Sequence, residues 1–534
     1  MASEIDNTIN REWMKTCSVV LGEEIGELKQ YSEWLSELTD GNLIRKSDVS
    51  GKDVAFSIKD YSEGSKWISL DEIDMSKRFE PLNIDDIKDI DSITEAIEER
   101  IYYCGNVLLG NCNNVLRSTN LSNASYVSDS ALYTKVKYMA YSTLGRENSH
   151  CFGCHGPGGS EFLIRCSQTV NVKRSFELWA SMNSSDCYYV YGLDGCSDCM
   201  FSFNLRNKRC CVGNLELGKD KYAKTRQKIL GEIIDELKKT KNAPSLIDIV
   251  KKSRILKPEI TSSQKLVGRH GRDENKSLIE DRFTRTSKMI LGNGLQGLDG
   301  YGKWLSSHTH GMEREKSSLS GEEILLQQYG ISMIMLPRDR LATMSEAKWI
   351  GENTSISSDE AEKISLENVH ENIGKIVFMG VDMRSGMMDN LIECSFLADS
   401  NNCYNASMMI RSRYCAFGMW PKDSHDCFGF DSVLDSGFCI KCYHSDNLER
   451  CFEVDSCRSC SDLLFSHNCE STQDSMFCFN VKNLRHGIGN AVYDPQKYKK
   501  VKDSILEQVM NELEEKKELK WSIFNIGSSN HDFP

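Results

Sequence analysis

The chain has 534 residues, 40% of them hydrophobic and 27% charged, with a formal net charge of −13. That length exceeds one compact domain, and the acidic balance excludes a general nucleic-acid binder, which would carry a basic surface. No apolar run approaches the roughly 18 residues of a membrane span. Met1 to Arg11 lacks a basic region followed by an apolar one, so no secretory signal is expected and the expected location is cytoplasmic.

In chain order, Val20, Leu21, Ile25, Leu28, Tyr31, Trp34 and Leu35 recur at helical spacing, which predicts one helix with an apolar stripe, stopped near Gly41. An acidic stretch of mixed type runs on to about Glu98. From Tyr102 to Val212 the composition turns to Ser, Asn, Cys and aromatics in strand-like bursts such as Ala124–Ser128 and Cys187–Tyr191. Tyr222 to Lys239 then reads as an amphipathic helix, with Ile229, Leu230, Ile233, Ile234 and Leu237 on one face.

In the second half, Cys403, Cys415, Cys427, Cys439 and Cys451 fall twelve residues apart, and Cys460, Cys469 and Cys478 follow at steps of nine. A short fixed period marks a solenoid, whose single coil cannot bury its own core. The spacing leaves open whether one coil takes twelve residues or twenty-four, and which neighbouring column faces out. Tyr404, Ala416, Phe428, Ile440 and Phe452 follow the cysteines directly; Ala406, Gly418, Phe430, Cys442 and Val454 sit three residues after them.

The two halves also match each other. At an offset of 276, Cys151-Phe-Gly153 falls on Cys427-Phe-Gly429, Cys166 on Cys442, Phe176-Glu177 on Phe452-Glu453, and Gly213-Asn214 on Gly489-Asn490. At an offset of 270, Tyr31, Trp34 and Leu35 fall on Tyr301, Trp304 and Leu305; after a shift of register, Lys66-Trp-Ile68 falls on Lys348-Trp-Ile350. The expected fold is therefore α+β and a tandem duplication. Each copy is a helical N-terminal part, a Cys-rich β-solenoid and a capping helix. The expected boundaries are 1–100 and 101–240 for copy one, a linker at 241–270, 271–375 and 376–520 for copy two, and a tail at 521–534.

Gly195 to Lys208, with Gly213-Asn214 and Tyr222, and the copy ending Phe479–Asn483, Gly489-Asn490 and Tyr498, resemble the C-terminal part of uncharacterised Cys- and aromatic-rich β-solenoid repeat proteins of small-genome bacteria and archaea. The resemblance covers about the last 60–90 residues of each copy and implies a solenoid. It carries over no activity. Such relatives often begin with a zinc ribbon, and the sequence has none.

Twenty-two cysteines would suit a disulfide framework only in a short secreted chain. Comparison of the copies favours packing: only Cys151/Cys427 and Cys166/Cys442 are Cys in both, and elsewhere Cys mostly faces Ser, Thr, Val, Leu or Met. Cys151-x2-Cys154-His155 has the form of a haem attachment site, but its copy reads Phe430 and Asp431 at the last two positions. Cys439, Cys442, Cys457 and Cys460 form two C-x2-C pairs close to zinc spacing, yet copy one has Leu163, Cys166, Ser181 and Ser184 there. The vicinal pair Cys210-Cys211 follows Lys208-Arg209, whose charge would lower a thiol pKa, and His308 and His310 offer two imidazoles. No metal or cofactor is expected, zinc being the alternative.

Arg206, Lys208 and Arg209, and in the copy Lys482 and Arg485, make basic turns suited to phosphates or an acidic partner. The expectation is a non-enzymatic scaffold whose duplicated surface engages a macromolecule, a protein or a ribonucleoprotein such as a ribosome, with homo-oligomerisation open. The alternative is a zinc- or thiol-dependent enzyme or redox protein using the C-x2-C pairs.

Overall fold

The computed structural model describes residues 2–83, 85, 87–258, 275–382, 384–430, 439–441, 443, 450–455 and 461–528. It is a mixed α/β fold with, among those residues, twelve α-helices and a set of mainly parallel sheets. Ala131–Ala140, Thr143–Arg146, Ser149–Phe152, His155–Gly158, Glu161–Ile164, Ser167–Val170 and Lys173–Met182 close a seven-strand parallel barrel, to which further strands are added.

The parallel register is regular. Ser149 pairs with Glu161, His155 with Ser167, Cys187 with Cys199, Leu391 with Cys403, and Gln473 with Arg485, each twelve residues on; Leu108 with Leu121 and Arg384 with Leu397 are thirteen apart. Each twelve-residue segment of chain, a lap, therefore pairs with the next. It turns by a device the cysteine spacing does not disclose: every third residue from Asn114 to Gly213 has a positive φ. A left-handed backbone costs an ordinary L-residue about 1–2 kcal/mol. Asn, Asp and Gly, which tolerate it best, fill many of these corners, among them Asn123, Asp129, Gly153, Asn171, Gly195 and Asn207. Aromatic residues such as Tyr126, Tyr189 and Phe201 fill others.

The residue directly after each corner points its side chain inward. These build one core in the first half, including Val127, Met139, Cys151, Leu163, Cys187 and Cys199. A second core holds Cys403, Met409, Cys415, Cys427, Phe430 and Cys439. The cysteine column and the column three residues later thus both face in. The residue directly after each cysteine faces outward beneath other elements: Phe428 lies 5.1 Å from Phe283 and Phe452 lies 6.1 Å from Trp304, centroid to centroid.

The chain forms two compact units, and neither is a continuous stretch. The first combines residues 1–42, 107–268 and 314–382; the second combines 43–106, 269–313 and 383–534. The consecutive domains expected from sequence are thus interleaved, because apolar side chains of 43–106 find their core in the second half. Trp67, Ile93, Ile97 and Tyr103 cluster with Phe452, Phe479, Val501 and Trp521.

Two further expectations need correcting. Residues 246–252 of the expected linker form a helix that buries Leu246, Ile247, Ile249 and Val250, and in the expected tail Trp521, Ile523, Phe524 and Ile526 are core residues. The single helix expected across Val20 to Leu35 is broken. A helix over Ala2–Leu21 ends at Gly22 (φ +96°), and Ser32–Ser36 starts another after Gly26 (φ +125°), although all the stripe residues are buried. The amphipathic helices Lys219–Thr240 and Pro495–Lys516 lie at the ends of the laps, each after a short antiparallel closing strand.

Candidate functional site

The inward thiols make one repeated contact. Cys151, Cys187, Cys199, Cys403, Cys415 and Cys478 each direct Sγ–H to the carbonyl two residues earlier, at 3.2–3.4 Å. Ser142, Ser160, Ser184 and Ser412 make the same contact with Oγ at 2.7–3.0 Å. The acceptor side matches too. Oγ of Ser142 receives the amide of Cys154 at 3.0 Å and Oγ of Ser184 that of Cys196 at 3.2 Å, while Sγ of Cys196 receives that of Lys208 at 3.4 Å. Ser and Cys are therefore equivalent small groups, each joining its own lap to the next.

This accounts for where the candidate chemistry falls. Cys151, Cys154 and His155 are buried, and His155 Nε2 lies 3.4 Å from Asp40 Oδ2. Gly153 between them (φ +66°) leaves no room for a side chain: a Cβ there would be 2.8 Å from the Leu35 carbonyl oxygen. Gly429 stands in the same relation to Leu305. Of the zinc candidates, Cys439 is buried, and Cys442, Cys457 and Cys460 lie outside the described residues. Among the described residues no group of three or more His, Cys, Asp or Glu is placed to hold a metal ion.

Burial pushes the thiols of Cys151, Cys166 and Cys415 up, and that of Cys478 to about 12. Cys196 goes the other way, to about 7, through its hydrogen bond with the Cys199 thiol. It is nevertheless 1% exposed. Cys210 is half-buried beside buried Cys211, and burial raises rather than lowers its thiol pKa. His308 is largely buried, which, helped by the Lys441 charge, lowers its pKa to about 3.

Two buried ion pairs occupy equivalent positions. Arg165 Nε donates to Glu177 Oε1 at 2.6 Å, with its guanidinium 4.9 Å from the Trp34 ring centroid. Lys441 lies 3.6 Å from Glu453 and 5.7 Å from the Trp304 ring centroid. Glu177 also accepts from Trp179 Nε1 at 3.1 Å and from the Leu246 amide at 3.0 Å. In the second unit the place of Trp179 is taken by Asp455, which accepts from the Tyr61 hydroxyl and lies 2.8 Å from His467 Nδ1. His467 Nε2 receives the Cys104 amide at 2.8 Å, so the imidazole is held on both sides. None of this came from sequence, although the 276-residue offset already aligned Arg165 with Lys441 and Glu177 with Glu453.

The basic turns reach the surface. Lys208, Arg209, Lys482 and Arg485 are exposed and Arg206 half-buried. Part of their charge is answered locally: Lys208 meets Glu216 at 3.1 Å and Arg485 meets Asp474 at 3.4 Å. Arg206 donates to the Gly192 carbonyl at 2.5 Å and its neighbour's carbonyl at 3.0 Å. Arg209 and Lys482 form no ion pair among the described residues. Exposed Arg78, which sequence reasoning missed, joins the second turn by donating to the Lys482 carbonyl at 2.6 Å. It comes from a stretch some 400 residues away in the chain, so no local pattern pointed to it.

Comparison with family models, with curated proteins and with solved structures found no match. Among the described residues no helix is long and apolar enough to cross a membrane.

Proposed function

We propose that this chain is a non-enzymatic scaffold made of two tandemly duplicated β-solenoids, and that it engages an acidic macromolecular partner through its basic turns. The twelve-residue parallel register supports the solenoid reading. Equivalent bonds in the two units support the duplication. Asn204 Nδ2 donates to the Phe378 carbonyl and Asn480 Nδ2 to the Tyr102 carbonyl, both at 2.7 Å; donors and acceptors are each related by 276 positions, as Cys151 is to Cys427.

The observation that carries the binding reading is the recurrence of cations at the same lap position in both halves, exposed and only partly neutralised. The partner class is a polyanion: an acidic protein or a ribonucleoprotein such as the ribosome. Co-sedimentation with purified ribosomes across a salt series tests this. Wild type should pellet at low salt and release as salt rises. The quadruple variant Arg206→Glu, Arg209→Glu, Lys482→Glu and Arg485→Glu should bind more weakly at every salt concentration, with a shallower salt dependence. Equal pelleting of wild type and variant would remove the basic turns from the account.

A further inference from the structure

We infer that the lap face of each half is a docking surface for an arm supplied by the other half, so that the chain severed between residues 258 and 275 remains a single two-fragment complex. The inference rests on the composition of the two units and not on the binding reading above.

The first unit contains residues 314–382, which follow 259–274 in the sequence. This arm is seated by polar contacts to the laps and their closing helix. Ser332 Oγ is 2.5 Å from Ser167 Oγ, the Gly380 carbonyl accepts from the Tyr191 hydroxyl at 3.0 Å, and the Leu366 amide donates to Glu232 at 2.7 Å. The fit is close enough that a Cβ on Gly351 would lie 2.1 Å from the Asn204 carbonyl oxygen.

The second unit receives residues 43–106 in the same manner. The Cys104 amide meets His467, the Tyr102 carbonyl meets Asn480, and the Ile90 amide donates to Gln508 at 3.0 Å. The two arms dock alike: Tyr191 and Gly380 in one unit stand where His467 and Cys104 stand in the other, 276 residues apart in each case. The arms are also built alike. Ser69 with Glu72 and Thr343 with Glu346 each form a capping box, and Ser47 and Ser317 each donate to that box's glutamate. Each lap face is thus matched to an arm presenting backbone carbonyls to Tyr191, Asn204 and Asn480 and a backbone amide to His467, with Trp67 and Tyr103 buried behind them in the second unit.

The test uses the full chain with a protease recognition sequence inserted within 259–274. After native cleavage the two fragments are run on a sizing column, and a second sample is treated with a carbodiimide, which converts a close lysine–carboxylate pair into an amide. The expected result is one peak at the mass of the intact chain, with cross-links joining Lys221 to Glu362 and Lys520 to Asp91, pairs 2.8 Å apart that span the cut. Fragments that part on the column overturn the inference. So do fragments that stay together but carry neither cross-link, since they would then be held by something other than the arms.

Discussion

Ser142 Oγ takes the amide proton of Cys154 at 3.0 Å and gives its own to the Ala140 carbonyl at 2.9 Å. Removing that hydroxyl strands a buried N–H, which costs about 1–3 kcal/mol. We expect Ser142→Ala to lose stability in that range by urea unfolding and Ser142→Cys to lose less than half as much, because sulfur fills the same position elsewhere. Equal losses would mean the two groups are not interchangeable. A second prediction concerns acid. The folded-state pKa of His308 is lowered from 6.5 to about 3, so between these values the unfolded chain binds a proton the folded chain refuses. Stability should therefore fall as pH drops below 6.5, by at most about 1.4 kcal/mol per pH unit from this group. His308→Phe should flatten that slope, read from unfolding curves at pH 7, 5.5 and 4.

At the scale of elements, the buried ion pairs tie a helix region to the laps. Arg165→Met would leave Glu177, 0% exposed, without its cation, and breaking such a pair costs about 3–5 kcal/mol. The double variant Arg165→Met with Glu177→Leu should recover much of that loss. Lys441→Met should act in the same direction, since burial already raises the Glu453 pKa and lowers that of Lys441. Thermal or chemical unfolding of the three variants decides this, and a single variant as stable as wild type would contradict it.

The twelve-residue period and the amphipathic helices at Lys219–Thr240 and Pro495–Lys516 were legible because each leaves a pattern along the chain. The three-residue corner period was also written there, in Asn123, Asn171, Asn183 and Asn207 among others, but a strand-based reading of period two passes over it. The break at Gly22 was missed because the same buried stripe suits one helix or two. His467, Asp455 and Tyr61 could not be read as a cluster, because Tyr61 and Asp455 are 394 residues apart.

For the whole molecule, the chain passes from one compact unit to the other wherever an arm leaves or returns, and neither half holds all of either core. Unfolding should therefore be a shared event rather than the loss of one half at a time; fluorescence and circular dichroism transitions should coincide. The same architecture decides what the cysteines are for. If inward thiols are lap-joining groups, they stay silent until the fold opens, even Cys196 with its pKa near 7.

The most direct test is residue-resolved alkylation of the native protein followed by mass spectrometry. Of the described cysteines, Cys112 and Cys210, the two not fully buried, should be modified quickly, and Cys151, Cys187, Cys196, Cys403 and Cys415 only at the rate of unfolding. Modification of Cys196 or Cys199 as fast as Cys210 in the folded protein would contradict the account and place reactive sulfur where it has only a structural role.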